Sequence, residues 1–461
     1  MKLVVPNVEE FYGAVTKRLP QASANRWREA ARKLSGSAYF WCGRGVTLLM
    51  PGPLEAGLTA ELSQRSGLGP DRLFWPEAPS PELSLWAAEK LTSLAGCGPD
   101  GRLTGISEIV AWGQTGQLHE LAETSANWGG LAIRGVGQRE VLWIVDLLGS
   151  KCGLRHLLAA PLARGEVLMP EGVFASNLAE AAGVTDEFLS RGKIAVVKAD
   201  RGVGGSASAV FDSARPPRTG IGRHLAIAAR SFPLLRRGPM VVEELVLIGP
   251  RTTRSASVQC FSDGQGEAKL LFMAEHMKKA SCAFNPLESI GARLGAGALK
   301  DKTRRALKES AGVVGRKISS LGFYGVMGID YALDGEGRPH LLEVNPRRTT
   351  LSGAAGAARS LGGESWEERL SVIYLDQDAV SGRWSELPDN LRRRLYPDGV
   401  DGRAVGGWLP IPVPTGKSGD VDWAGAVVLS AIPETSELIA RELLSYAGNG
   451  RNLDGNPGRN G

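Results

Sequence analysis

Histidine is scarce in this chain: five occur among 461 residues, with no H-x-H or H-E-x-x-H spacing, which argues against a histidine-built metal centre. The five cysteines, Cys42, Cys97, Cys152, Cys260 and Cys282, lie far apart and form no C-x-x-C pair. They fit free thiols in a reducing compartment better than a zinc site or a disulfide framework. Long apolar runs are missing too. The most apolar stretch, residues 141–148, is interrupted by Asp146 and is far shorter than a bilayer crossing requires. The opening MKLVVPNVEEFYG turns acidic early and lacks a signal-peptide core, so the expectation is a cytoplasmic protein with no membrane association. No tract of one charge is present either. The 54 basic and 49 acidic residues leave a net +5, spread along the chain. Short clusters such as Lys278-Lys279 and Arg392-Arg393-Arg394 suit a solvated helix face, so no nucleic-acid partner is expected.

What is present is ordinary globular composition, 43% hydrophobic and 22% charged, at a length that implies two or three domains. Over residues 1–148 helical and strand-like stretches alternate. A helical pattern from Ser23 through Trp27, Ala30, Ala31 and Leu34 ends at Gly36, a strand covers 45–50, a helix 54–65 and a short strand 72–75, and Pro81 opens another helix. This alternation predicts an open, mostly parallel sheet with helical cover. Gly135-Val136-Gly137 is a loop, because no third glycine follows at dinucleotide spacing. Gly416-Lys417-Ser418 is likewise no phosphate loop: Ile411 stands where a glycine is needed, among Pro410, Pro412 and Pro414.

Downstream, residues 154–160 read as helix, 167–172 as an extended piece, and Asn177 as the cap of a short helix to Ala182. A strand over 194–198 then leads through Asp200-Arg201-Gly202-Val203-Gly204-Gly205-Ser206 into a return strand over 207–211. Glycine backbone N–H groups can approach an anion, Ser206 offers a hydroxyl, and Lys198 supplies a positive charge for phosphate oxygens. A flexible hairpin tip is the plain alternative. Residues 240–248 form an apolar strand interrupted by Glu243 and Glu244, which is either a solvent-facing edge or a hinge for an adenine edge.

Strands are expected over 255–261 and 268–273. A helix over 300–321 follows, with Leu307, Ala311, Val314, Ile318 and Leu321 on one stripe and Gly322 as its C-cap. The chain then enters GFYGVMGIDYALDGEGRPHLLEVNPRRTT, whose Asp334-Gly335-Glu336-Gly337 is turn chemistry between two strands. Glu343 and Asn345 share a face of the second strand, and antiparallel pairing brings Asp330 beside them. Two carboxylates so placed are costly without a cation, and Mg²⁺ suits carboxylate and amide oxygens. Incidental acids on a solvated hairpin are the alternative. Further on, helices are expected over 366–374, 387–396 and 437–446, a proline-punctuated strand or loop over 406–414, and a disordered tail over 447–461.

Lys198 with its glycine-rich loop, the Glu243-Glu244 strand, and Asp330 followed by Glu343-x-Asn345-x-Arg347 occur in one order that resembles the ATP-grasp superfamily, over roughly residues 150–350. The narrower similarity is to peptide ligases of the pheganomycin type. The resemblance implies an α/β (α+β) ATP-grasp fold. A Rossmann-like pre-ATP-grasp domain would cover residues 1–148, a small lid domain 149–245, a larger antiparallel-sheet domain with the metal site 246–400, and a C-terminal extension packed on it 401–446. It implies ATP and Mg²⁺ as cofactors. Lys151 and Lys198 would contact ATP, Gly202, Gly204, Gly205 and Ser206 would close over its phosphates, and Glu243 and Glu244 would sit at the adenine hinge. Asp330, Glu343 and Asn345 would hold Mg²⁺, and Arg347 would stabilise the transferred phosphoryl group or tetrahedral intermediate. The implied partners are a small or amino-acid-like carboxylate and an amine or peptide acceptor, and a homodimer is compatible with this. The sequence departs from relatives at two places. No acid for ribose follows the hinge at Ile248-Gly249-Pro250-Arg251-Thr252, and Gly328 stands where some amide-forming relatives have arginine, a role left to Arg347, Arg348, Arg251 or Arg254.

The chemistry so implied is an acyl phosphate attacked by an uncharged amine to form an amide. A carboxylase that phosphorylates bicarbonate, a nucleotide-binding module without chemistry, and a basic nucleic-acid binder are the alternatives.

Overall fold

The computed structural model describes residues 2–41, 45–77, 80–94, 106–129, 132–202, 208–215, 217, 219–236, 238–249, 252–278, 289–395, 406–414 and 421–448. Of the tail expected over 447–461, residues 449–461 lie outside them, as do Gly204, Gly205, Ser206, Arg251, Tyr396 and the Gly416-Lys417-Ser418 segment.

The first sheet contains β1 (Lys2–Val5), β2 (Val46–Leu49), β3 (Arg72–Phe74) and β4 (Glu108–Ala111), all parallel in the order β3-β2-β1-β4. Helices Gln21–Ser35, Ala56–Ser66, Leu83–Leu94 and Gly116–Gly129 belong to this unit, as the alternating pattern predicts.

A second sheet is antiparallel and runs β5 (Gly172–Ala175), β8 (Met240–Glu244), β6 (Ile194–Ala199), β7 (Ser208–Asp212). Helices Leu178–Ser190 and Ile221–Ser231 bury Phe188 and Leu225 against Val197 and Val242. The Asn177 side chain caps the first of these, accepting from Ala179 and Glu180 N–H at 3.0 Å, but the helix continues to Ser190 rather than Ala182. With β8 paired on both sides, the solvent-edge explanation of Glu243 and Glu244 fails.

The third and largest sheet has nine strands: β9 (Arg254–Asp263), β10 (Ala268–Lys278), β11 (Ser289–Gly295), β12 (Tyr324–Leu333), β13 (Pro339–Asn345), β14 (Ser371–Leu375), β15 (Ser381–Gly382), β16 (Gly407–Pro412) and β17 (Trp423–Ser430). Its order is β13-β12-β9-β10-β11-β14-β17-β15, with β16 also pairing β17. Helix Asp301–Ser319 buries Leu307, Ala311, Val314 and Ile318 on the face that carries Val258, Cys260, Ile329 and Tyr331. It ends at Ser320, so Gly322, with φ +98°, makes the reversal into β12 rather than the cap itself.

Two expectations past residue 350 are corrected. Only Trp366–Arg369 is helical in the stretch 366–374, and Ser371–Leu375 is a strand with all five residues buried. The helix expected over 387–396 is a single turn, Asp389–Arg392. The last helix begins at Pro433 and ends at Tyr446. No helix among the described residues is long and apolar enough to cross a membrane.

Candidate active site

The hairpin β12–β13 puts Asp330 opposite Glu343 and Gly328 opposite Asn345, with a register shift after Asp330. Asn345 lies across both acids: its Nδ2 donates to Asp330 Oδ2 at 2.9 Å and to Glu343 Oε1 at 3.4 Å. Burial, reinforced by the charge of Glu343, pushes the Asp330 carboxyl up from its ordinary range. Burial acts in the same direction on Glu343, but Lys151, Lys198 and the Asn345 hydrogen bond outweigh it and hold that carboxyl low. Lys151 Nζ is 3.6 Å from Glu343 Oε2.

Lys151 is held in place by an Asp200 anchor. Ser150 caps helix Lys151–Leu157, and its Oγ also donates to Asp200 Oδ1 at 2.9 Å, while Cys152 N–H donates to the same oxygen at 2.8 Å. Asp200 follows β6, so the base of the glycine-rich loop and the Lys151 helix are tied together. On the small sheet, Glu243 is 1% exposed and bracketed by two cations, Arg155 Nη2 at 2.8 Å and Lys198 Nζ at 2.5 Å. Burial would raise its carboxyl, and Lys198 and Arg155 instead hold it below the usual range. Glu244 points to the other face of β8, where Lys193 Nζ approaches at 2.7 Å. The expected Glu-Glu pair is thus split by strand alternation, and Glu243 alone joins Lys198.

Arg347 lies where the hairpin meets the segment that follows β4. Its Nη2 donates to Asn345 Oδ1 and its Nη1 to the Arg348 carbonyl, both at 2.9 Å. Its guanidinium stands over the rings of Tyr12 and Trp112, 5.4 and 5.3 Å from their centroids. Burial pushes the Tyr12 phenol up, so it stays protonated.

Sequence reasoning missed several neighbours. Lys278 was expected on a solvated helix face, yet it ends strand β10, where burial lowers its ammonium to about 8 against the pull of Asp330. On the same strand His276 is pushed down to about 4 by burial and by Lys278. Arg155 carried no motif. The alternation of β10 with its neighbours was the available signal for Lys278 and His276, because residues two apart on a strand share a face.

A family model described as an ATP-grasp domain matches residues 167–351. The chain carries an ATP-grasp domain. Its fold is similar to that of biotin carboxylase from Campylobacter jejuni in complex with an ATP analogue, at TM-score 0.55 and 14% identity over 96% of this chain and 90% of that one. It is also similar to N5-carboxyaminoimidazole ribonucleotide synthetase in its ADP complex, at TM-score 0.53 and 10% identity over 97% and 96%. Phosphoribosylamine–glycine ligase from Thermotoga maritima gives TM-score 0.52 and 15% identity over 96% of each chain. No curated protein sequence matches the chain.

The ATP-grasp match takes in Lys198, Glu243, Asp330, Glu343, Asn345 and Arg347, and starts after Lys151. Of the glycine loop, Gly202 is described and the next three candidates are not. Gly328 has a packing reason: a Cβ there would come within 2.7 Å of Gln259 Nε2 and 2.9 Å of the Thr349 methyl carbon. Gln259 is fully buried and fills the space an arginine side chain would enter. Among the described residues no three His, Cys, Asp or Glu side chains cluster, so any cation here rests on Asp330, Glu343 and the Asn345 amide. That donor set suits Mg²⁺: all are oxygen-bearing, and the amide N–H now bridging two half-buried carboxylates stands in for the positive charge they need.

Proposed function

We propose that the chain is an ATP-dependent carboxylate–amine ligase that forms an amide through an acyl phosphate. In this proposal it is a peptide ligase of the pheganomycin type, with a role in specialised peptide biosynthesis. The observation that carries this reading is Lys151 Nζ at 3.6 Å from Glu343, beside Asp330, Asn345 and Arg347, with the charge of Lys198 also helping to hold the Glu343 carboxyl low. Cations that would bind a triphosphate face carboxylates that would bind its metal, across the space between the small and large sheets.

In this reading ATP lies between those sheets, and Lys198, released from Glu243 when phosphate oxygens compete for it, binds the phosphates with Lys151. The glycine loop, tied at its base to the Lys151 helix through Asp200, closes above them and keeps water from the acyl phosphate. Asp330, Glu343 and Asn345 would hold Mg²⁺, which supplies charge neutralisation to the phosphates. Arg347 faces the transferred phosphoryl group. A carboxylate oxygen of the substrate bonds to the γ-phosphorus as the bond to ADP breaks. An uncharged amine then attacks the acyl carbon, phosphate departs with the C–O electron pair, and the amine proton is lost.

The test is a screen of amino acids and short peptides, singly and in pairs, for ADP release, with mass spectrometry of the products. ADP release that requires both a carboxylate and an amine, with a product heavier by their condensation, is the expected result. Release stimulated by bicarbonate and by no amine would make the chain a carboxylase, and nucleotide binding without ADP release would make it a binding module.

A further inference from the structure

We propose that Tyr12 and Trp112 are positioning residues, through which the first domain sets the orientation of Arg347; this rests on the reading of Arg347 as the group facing the transferred phosphoryl. Tyr12 is 6% exposed and Trp112 2%, so the two rings meet the guanidinium away from water, where cation–π attraction is strongest. The Trp112 ring is itself backed by Trp41, stacked at 5.8 Å with a 24° tilt, and Arg348 covers Trp41 at 5.2 Å. Three aromatic rings and two arginines therefore form one layered clasp, with neighbouring members drawn from distant parts of the chain.

The backbone fixes the same contact. Trp112 follows the carboxyl end of β4, its carbonyl accepts from Arg348 N–H at 2.8 Å, and Gly113 bridges to Arg347. A Cβ at Gly113 would sit 2.4 Å from the Phe11 ring and 3.2 Å from Arg347 Cβ, so the chains touch as closely as glycine allows. The clasped guanidinium still directs Nη2 to Asn345 Oδ1, and thereby turns the Asn345 amide toward Asp330 and Glu343. Guanidinium and amide are thus aligned by rings that have no need to touch substrate. Loss of a ring would leave the arginine present but free to tilt, and misplacement of this kind costs on the order of 10²-fold in transition-state stabilisation.

The experiment compares binding of MgADP with binding of MgADP plus aluminium fluoride, which mimics the phosphoryl group in flight, in the full chain carrying Trp112→Leu, Trp112→Phe, Tyr12→Leu or Arg347→Lys. MgADP affinity is expected to stay within about twofold of the parent, while the fluoride-dependent gain falls by roughly 10²-fold in Trp112→Leu, matching Arg347→Lys, and returns largely in Trp112→Phe. Tyr12→Leu reaches the same guanidinium from another segment and serves if Trp112→Leu does not fold. A fluoride-dependent gain that survives in Trp112→Leu or Tyr12→Leu, or equal loss of MgADP and mimic binding, would overturn the positioning role. A parent chain that binds MgADP but gains nothing from fluoride would overturn the reading of Arg347, and the positioning role with it.

Discussion

Two acidic sites in this molecule, one buried and one half-buried, are built on opposite terms. Glu243 on β8 lies between Arg155 and Lys198, both within 2.8 Å, and its carboxylate is compensated by the protein alone. Asp330 and Glu343 on the hairpin face each other across one amide, with the nearest ammonium, Lys151, at 3.6 Å from Glu343. The first arrangement satisfies a charge and the second leaves charge to be satisfied. On the proposed function, the contrast separates a residue that holds the scaffold from residues whose cost the scaffold tolerates for a ligand, since strained electrostatics persist at functional sites.

The sharpest way to break this contrast is to neutralise each site. Asp330→Asn or Glu343→Gln should reduce ADP formation by on the order of 10³-fold or more. In the absence of Mg²⁺, Asp330→Asn should hold or raise thermal stability, because a like-charge contact is removed, whereas Glu343→Gln should lower it, because Lys151 loses its partner. Turnover near that of the parent would show that the hairpin holds no catalytic cation. Glu243→Ala should do the reverse to the scaffold: it leaves Arg155 and Lys198 buried without their partner and should cost about 3 kcal/mol in urea unfolding. A loss within experimental error would place Glu243 with the hairpin acids instead. Lys198→Ala touches both sites, and a fall of roughly 10²-fold in kcat/KM for ATP is expected from steady-state ADP release. Unchanged ATP kinetics would remove β6 from the site.

The smallest effect sharpens the contrast within the hairpin itself. Burial would raise the Asp334 carboxyl at the turn, but the Arg338 side chain, the Arg338 N–H and His340 outweigh it and hold it down to about 2, against an ordinary 3.8. A depressed carboxyl adds stability above its unfolded value, and that stability is lost as pH falls from about 4 toward 2. Asp334→Asn should therefore cost about 1 kcal/mol at pH 7, allowing for solvent screening, and the gap to the parent should close in acid unfolding below about pH 3. A gap that stays constant with pH would mean that the turn depends on shape rather than charge.

Much of the fold was legible because its signals are local. The stripe Leu307, Ala311, Val314, Ile318 predicts its helix, and the turn at Asp334-Gly335-Glu336-Gly337 predicts the pairing that brings Asp330 opposite Glu343. The segment 366–375 failed for a physical reason: a helical turn, Trp366–Arg369, passes after one residue into Ser371–Leu375, and a short apolar run has no period to distinguish strand from helix. The separation of Glu243 from Glu244 followed from strand alternation, but only once β8 was known to be an interior strand. The aromatic partners of Arg347 were illegible, because a ring at position 12 or 112 finds an arginine at 347 only through tertiary packing.

The position of β17 near one end of the large sheet bears on how the chain is made. Residues 423–430 pair with β14, β15 and β16, strands that precede them in synthesis. During translation β14 therefore leaves the ribosome with one long edge open, and its apolar residues, buried in the finished protein, wait for the chain to reach Ser430. The hairpin with Asp330 and Glu343, at the opposite end of the sheet, already has its neighbours β9 and β10 by then. Nascent chains released before residue 430 would hold a paired Asp330–Glu343 hairpin and an unpaired far edge, and such edges are where incomplete chains aggregate.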